Sequence, residues 1–129
     1  SDMIAAANGS LAMMTSVLVS PRGYFEYEAA HGTVQKHYYQ HLEGRETSTN
    51  SMALIFAWTG ALRKRGELDG TPEVTSFADQ IEAAALKTVE AGIMTGDILA
   101  VAEPAPHNRK VSTRTFIEAV AAHLKEKLR

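Results

Sequence analysis

The stretch from Glu28 to His37 concentrates the side chains best suited to chemistry. It reads Glu28-Ala29-Ala30-His31-Gly32-Thr33-Val34-Gln35-Lys36-His37, where a strand-like run ends, a glycine-bearing turn follows, and a threonine, a lysine and two histidines gather. A glycine among small polar residues lets backbone N–H groups close on an anion. Lys36 and His37 add positive charge or hydrogen-bond donors suited to a phosphate. A dinucleotide fingerprint carries about three glycines, so one glycine is a weak signal. An ordinary strand-to-helix turn with a surface lysine and histidine has the same composition, and the residues alone leave both readings open.

Other constellations are weaker. The polar loop Gly44 to Asn50 offers hydroxyls and an amide ahead of an apolar helix, and capping by Thr47, Ser48, Thr49 or Asn50 explains it simply. Asp2 at a helix start reads first as dipole compensation, with a metal role as the alternative. His41, His107 and His123 show no metal spacing and read as surface or partly buried. Met13-Met14 reads as core beside the first strand. Nothing suggests an acyl-transfer triad or a glycosidase acid pair.

The elements that must position these residues follow from pattern. Asp2 to Asn8 is helical and stops at Gly9. Ser16 to Ser20 is a β-branched strand run, and Ser20-Pro21-Arg22-Gly23 has the chemistry of a type I turn. Tyr24 to Ala30 alternates, with Phe25, Tyr27 and Ala29 on one side. Lys36 to Leu42 forms a short helix or turn. Residues 51–65 form a helix buried nearly all round and stopping at Gly66. Thr71-Pro72-Glu73 opens the next helix, with Val74, Phe77, Ala78, Ile81, Ala85 and Val89 inward and an end at Gly92. A weak helix spans 96–102. A last helix opens on a capping box at Thr115 to Glu118, with Ile117, Val120, Ala121, Leu124 and Leu128 inward.

The fold class is α/β, with two strands and four to five helices. Two strands do not make an independent sheet, and the apolar helix needs cover on every side. A large part of the fold is therefore expected outside these residues or on another chain. Ser1 reads as the middle of something, with no start methionine and no signal-peptide pattern.

Composition bounds the function. The chain has 129 residues and a formal charge of -2, which argues against a nucleic-acid partner bound through a broad basic face. There are 0 cysteines, so disulfides and cysteine-ligated metals are excluded. The longest apolar run, Met52 to Trp58, is far short of the roughly 20 residues that cross a bilayer. The expectation is a cytoplasmic protein with neither membrane nor nucleic-acid partner. Cations in residues 1–62 are confined to Arg22, Lys36 and Arg45, so the half holding the candidate site is sparsely charged.

Several runs together carry a family resemblance. Glu28-Ala29-Ala30-His31-Gly32-Thr33, Glu46-Thr47-Ser48-Thr49-Asn50 and Ile55-Phe56-Ala57-Trp58-Thr59 resemble the carboxy-terminal part of NADP-dependent isocitrate dehydrogenase, in the subfamily that includes the eukaryotic enzymes. Gly9-Ser10-Leu11, Met13 to Val19, and Thr88 to Gly92 with Met94-Thr95 are similar too, in order along the chain. The resemblance implies that residues 1–129 are the carboxy-terminal part of the large cofactor-binding domain of an isocitrate/isopropylmalate dehydrogenase-type fold.

It further implies that His31, Gly32 and Thr33, continued by Val34 and Gln35, cradle the adenosine and phosphate end of NADP. Lys36 and His37 then stand where the 2′-phosphate is held, and Asn50 on the adenine side. Asp2 stands where an aspartate approaches Mg²⁺ or Mn²⁺. The implied reaction is oxidative decarboxylation of isocitrate to 2-oxoglutarate in a homodimer, with catalytic tyrosine, lysine and substrate-clamping residues outside this chain. Three positions depart from the family. Lys36 replaces a usual arginine and loses the bidentate fork, Gly60 stands where many relatives carry arginine, and Gly96 where many carry lysine. The rivals are another β-decarboxylating dehydrogenase, of isopropylmalate or homoisocitrate type, and a non-catalytic helical interaction domain.

Overall fold

A computed structural model describes residues 15–29 and 35–128. The expectations for Asp2, Asp2 to Asn8, Met13-Met14 and His31 to Val34 lie outside the described residues.

Strands β1 (Thr15–Val19) and β2 (Phe25–Ala29) form an antiparallel hairpin with Thr15 opposite Ala29 and Val19 opposite Phe25. The predicted turn closes it: Gly23 N–H donates to the Ser20 carbonyl at 3.0 Å, and Gly23 takes φ +86°. A left-handed glycine ending a three-residue loop matches the right-handed twist of the flanking strands. Across the strands, Ser16 Oγ donates to Glu28 Oε1 at 2.7 Å.

Helix α1 (Gln35–Leu42) follows, then α2 (Met52–Asp69) and α3 (Pro72–Glu90). Two-residue strands β3 (Ile93–Met94) and β4 (Arg109–Lys110) pair in parallel and flank α4 (Gly96–Leu99), and α5 (Thr113–Leu128) ends the described chain. The five helices and the hairpin match the sequence reading, while the short β3–β4 pair was not foreseen.

The core joins α2, α3, α5 and the β3–β4 region. Met52, Ala84, Ala85, Met94, Ile98, Phe116 and Val120 form one buried cluster. The hairpin leans on α2 through β2. Charges reinforce the α2–α3 contact: the Arg63 guanidinium reaches Asp79 at 2.7 Å and Glu82 at 3.1 Å. The Asp79 hydrogen bond chiefly raises the hold of Arg63 on its proton. Beneath this pair the buried Thr59 hydroxyl bonds Glu82 Oε1 at 2.7 Å.

Several expected boundaries and faces move. Helix α2 runs through Gly66 and stops at Gly70 (φ +65°), where Thr71 N–H bonds the Gly66 carbonyl and Gly70 N–H the Glu67 carbonyl. That pairing is a Schellman stop. Gly66 is buried instead, because a Cβ there would come 3.1 Å from the Thr71 carbonyl oxygen and the Thr75 nitrogen. The Thr71 side chain makes no capping bond. Helix α5 is capped by Ser112, whose Oγ accepts Thr115 N–H at 3.1 Å, one turn before the expected box. Phe116 and Val120 are buried and Leu124 packs against the core as expected, while Ile117 and Leu128 are about half exposed (49% and 54%). On α3, Ala84 and Thr88 are buried and Phe77 is exposed.

Helix α2 is not covered on every side. Trp58 is 67% exposed and Leu54 50%, and on β1 Leu18 and Val19 are similarly open. These apolar faces lie where the sequence called for additional structure. Among the described residues no helix is long and apolar enough to cross a membrane.

Candidate functional site

The described part of the site begins where β2 ends. Ala29 pairs with Thr15, and the chain re-enters at Gln35 as the first residue of α1. Gln35, Lys36 and His37 therefore form the first turn of a helix, whose backbone N–H groups have no intrahelical acceptors. That turn contains no acidic residue. The dipole and the Lys36 ammonium thus add with the same sign. Lys36 is exposed and forms no ion pair with another described residue.

His37 is half-buried, and its Nδ1 is shielded from solvent with no hydrogen-bond partner among the described residues. A buried, unpaired ring nitrogen costs free energy unless a ligand supplies the partner. Helix α1 buries none of its own residues, and Tyr38 and Tyr39 stand more than half exposed with ring centroids 5.8 Å apart.

Asn50 is built differently. Its Oδ1 accepts Met52 N–H at 2.7 Å, so it caps the start of α2. Its backbone N–H donates to Asp97 Oδ2 at 2.8 Å, across to α4. The plainer capping explanation of the loop is thus right for Asn50.

The preceding residues are fastened to the far end of the chain. Ser48 Oγ donates to the Val111 carbonyl and accepts Gly96 N–H at 2.8 Å. Thr49 N–H donates to Thr113 Oγ1 at 2.9 Å, and Thr113 N–H to the Thr47 carbonyl at 2.9 Å. Sequence reasoning assigned these hydroxyls to capping, whereas Ser48 ties three segments together. The one signal was a run of small hydroxyl residues, which does not name its partners.

Gly96 and Gly60, the departures noted above, both have occupied surroundings. A Cβ at Gly96 would lie 3.0 Å from Lys110 Cε, so the Lys110 side chain fills that space. A Cβ at Gly60 would lie 2.9 Å from the Tyr27 ring.

Among the described residues there is no group of three His, Cys, Asp or Glu able to hold a metal ion. His41 and His107 are exposed; His123 is half-buried, with Nδ1 2.7 Å from Thr88 Oγ1.

Comparison with known proteins adds to this geometry. The sequence profile of isocitrate/isopropylmalate dehydrogenase matches residues 1–120. The cytoplasmic NADP isocitrate dehydrogenase of Saccharomyces cerevisiae is 50% identical over 128 residues, covering 98% of this chain and 31% of the relative. The peroxisomal NADP isocitrate dehydrogenase of Candida tropicalis is 51% identical over 130 residues, covering 99% and 32%. The NADP isocitrate dehydrogenase of Sphingobium yanoikuyae is 47% identical over 129 residues, covering 99% and 31%. The chain spans about a third of the length of these relatives.

Proposed function

The chain belongs to the isocitrate/isopropylmalate dehydrogenase family, and we propose that it is the nucleotide-binding part of an NADP-dependent isocitrate dehydrogenase. The observation that carries this is identity near one half, sustained over 98% of the chain, to an enzyme named for NADP and isocitrate. The whole enzyme oxidises isocitrate to 2-oxoglutarate and CO2, with a hydride passing to NADP, the hydroxyl proton released and the resulting enolate taking up a proton.

Within that reaction this chain binds and orients. Lys36, His37 and the first N–H groups of α1 hold the 2′-phosphate, a reading supported by a buried His37 Nδ1 that has no hydrogen-bond partner among the described residues. Gln35 continues the cradle that His31, Gly32, Thr33 and Val34 form around the adenosine and phosphates. Asn50, fixed by its cap to α2 and by Asp97, faces the adenine side. Lysine in place of the bidentate guanidinium gives NADP preference through charge with less geometric strictness. When bound, NADP supplies the hydride acceptor and a Mg²⁺ or Mn²⁺ ion the Lewis acid that polarises the hydroxyl.

Asp2 is one metal ligand in this reading. The remaining metal ligands and the catalytic and substrate-clamping groups come from polypeptide beyond this chain or from the partner subunit of a homodimer. The exposed Trp58, Leu54, Leu18 and Val19 support that division, since apolar faces of this kind are interaction surfaces. The compartment is the cytoplasm in this reading, although the relatives include peroxisomal forms.

The test is NADPH formation by the full-length polypeptide with isocitrate and Mn²⁺, set beside isopropylmalate and beside the isolated 129-residue chain. Turnover of isocitrate by the full-length protein and none by the isolated chain is expected. Turnover of isopropylmalate without isocitrate, or activity of the chain alone, contradicts the proposal.

A further inference from the structure

We infer that Lys110 is a further specificity residue for NADP, bringing an ammonium from β4 over Gly96 to the 2′-phosphate. The inference deepens the reading above and rests on it, because it takes Asn50 to face the adenine side of NADP.

Three segments meet around this lysine. Strand β4 lies parallel to β3, with Lys110 opposite Met94. The backbone is pinned on both sides of it: Arg109 N–H donates to the Gly92 carbonyl and Val111 N–H to the Met94 carbonyl, each at 2.8 Å. The Val111 carbonyl accepts Ser48 Oγ, and that oxygen accepts Gly96 N–H at 2.8 Å. The backbone carrying Lys110 is therefore fixed against both the turn at Gly96 and the loop that ends in Asn50.

The Lys110 side chain folds back over that turn. Its Cε lies 3.0 Å and its Nζ 3.5 Å from the position a Cβ on Gly96 would take. A side chain at residue 96 would start in this same space. Many relatives carry a lysine at that position, as noted above, whereas here a lysine enters the space from β4.

The described residues give no reason for a cation to lie there. An exposed lysine keeps its hydration by extending its ammonium into water, yet this one lies along the backbone of the turn. Lys110 forms no ion pair with another described residue. The neighbouring Asp97 carboxylate is committed to the Thr95 hydroxyl at 2.7 Å, to Ile98 N–H at 3.1 Å and to Asn50 N–H at 2.8 Å. A phosphate brought by a ligand supplies the missing counter-charge. On the adenine side of NADP that group is the 2′-phosphate, carried by the ribose next to the base.

The experiment uses the full-length enzyme with Lys110→Gln, Lys110→Ala, the double variant Lys110→Ala/Gly96→Lys and, as a control on the underlying site, Lys36→Ala/His37→Ala. Affinities for NADP and NAD are read by fluorescence titration at low and high salt, alongside melting temperature. Lys110→Gln keeps a stem over Gly96 and removes only the charge. It should weaken NADP about tenfold, the loss of one charge-assisted contact, and leave NAD within about twofold. The salt dependence of NADP binding should become shallower in the same variant. Lys110→Ala should lose as much, and Gly96→Lys in that background should recover most of the loss, because the ammonium then returns from residue 96.

Unchanged NADP affinity in Lys110→Gln, an equal loss for NADP and NAD, or a folded double variant that recovers nothing would overturn the inference. If Lys36→Ala/His37→Ala weakens NADP selectively and Lys110→Gln does not, only the role of Lys110 falls. If neither variant alters the preference for NADP over NAD, the reading of the site fails and takes this inference with it.

Discussion

Tyr27 of β2 packs directly on Gly60 of α2: a Cβ at residue 60 would meet ring carbons Cδ1 and Cε1 at 2.9 Å. Ala57 and Ala61 line a shallow cleft with Tyr27, beside the larger Leu54 and Trp58. At Gly60 the absence of a side chain lets the ring approach the helix backbone. The contact lies two residues before the end of β2 at Ala29.

This contact makes the sign of a substitution depend on its partner. Gly60→Ala gains about 1 kcal/mol of helix propensity but overpacks the ring at a cost of about 1–3 kcal/mol. The full-length protein should therefore melt at a lower temperature. In a Tyr27→Ala background the clash is gone and the same substitution should stabilise. The same sign in both backgrounds would show that the ring does not rest on Gly60.

Ser48 satisfies a backbone donor and a backbone acceptor with one hydroxyl. Ser48→Ala leaves Gly96 N–H and the Val111 carbonyl each short of a part-buried partner, a loss of about 1–3 kcal/mol. Denaturant unfolding measures it. A change below about 0.5 kcal/mol, ordinary for a surface site, would mean that water replaces the hydroxyl without cost.

The tautomer of His123 follows from its partner. Thr88 has one hydroxyl proton and donates it to the Ala84 carbonyl at 2.8 Å. With the Thr88 proton on that carbonyl, the tautomer that completes the pair is the one in which His123 Nδ1, 2.7 Å away, donates to Thr88 Oγ1. His123→Asn places an amide N–H near the position of Nδ1, whereas the amide of His123→Gln reaches toward the position of Nε2. The asparagine variant should retain about 1 kcal/mol more stability than the glutamine variant. The reverse order would contradict the assignment.

Local chemistry was legible in the sequence, and long-range pairing was not. Ser20-Pro21-Arg22-Gly23 specifies its turn with its own backbone preferences, and the structure closes it as expected. Pro72 and Glu73 likewise mark the start of α3. Gly66 misled because a glycine inside a helix and a glycine ending one look alike until the neighbour is known, and here the neighbour is Thr71–Thr75. The parallel pair Ile93–Met94 with Arg109–Lys110 is too short to leave a period in the sequence. The inward face of α5 was right at Val120 and Leu124 but missed Phe116, which adjoins the equally apolar and exposed Ile117.

Lys36 and His37 are candidates from residue type and their place after a strand. The clamp on Asn50 was invisible because Asp97 lies 47 residues away. His31 to Val34 and Asp2 stand on the family resemblance alone.

The central claim is that Lys36 and His37 receive the 2′-phosphate of NADP. Titrating NADP and NAD against the full-length protein and its Lys36→Ala/His37→Ala variant tests it most directly. Loss of two charge-assisted contacts should weaken NADP by about 100-fold or more while leaving NAD, which lacks that phosphate, nearly unchanged. Equal NADP binding by both proteins, or an equal loss for both nucleotides, would contradict the account.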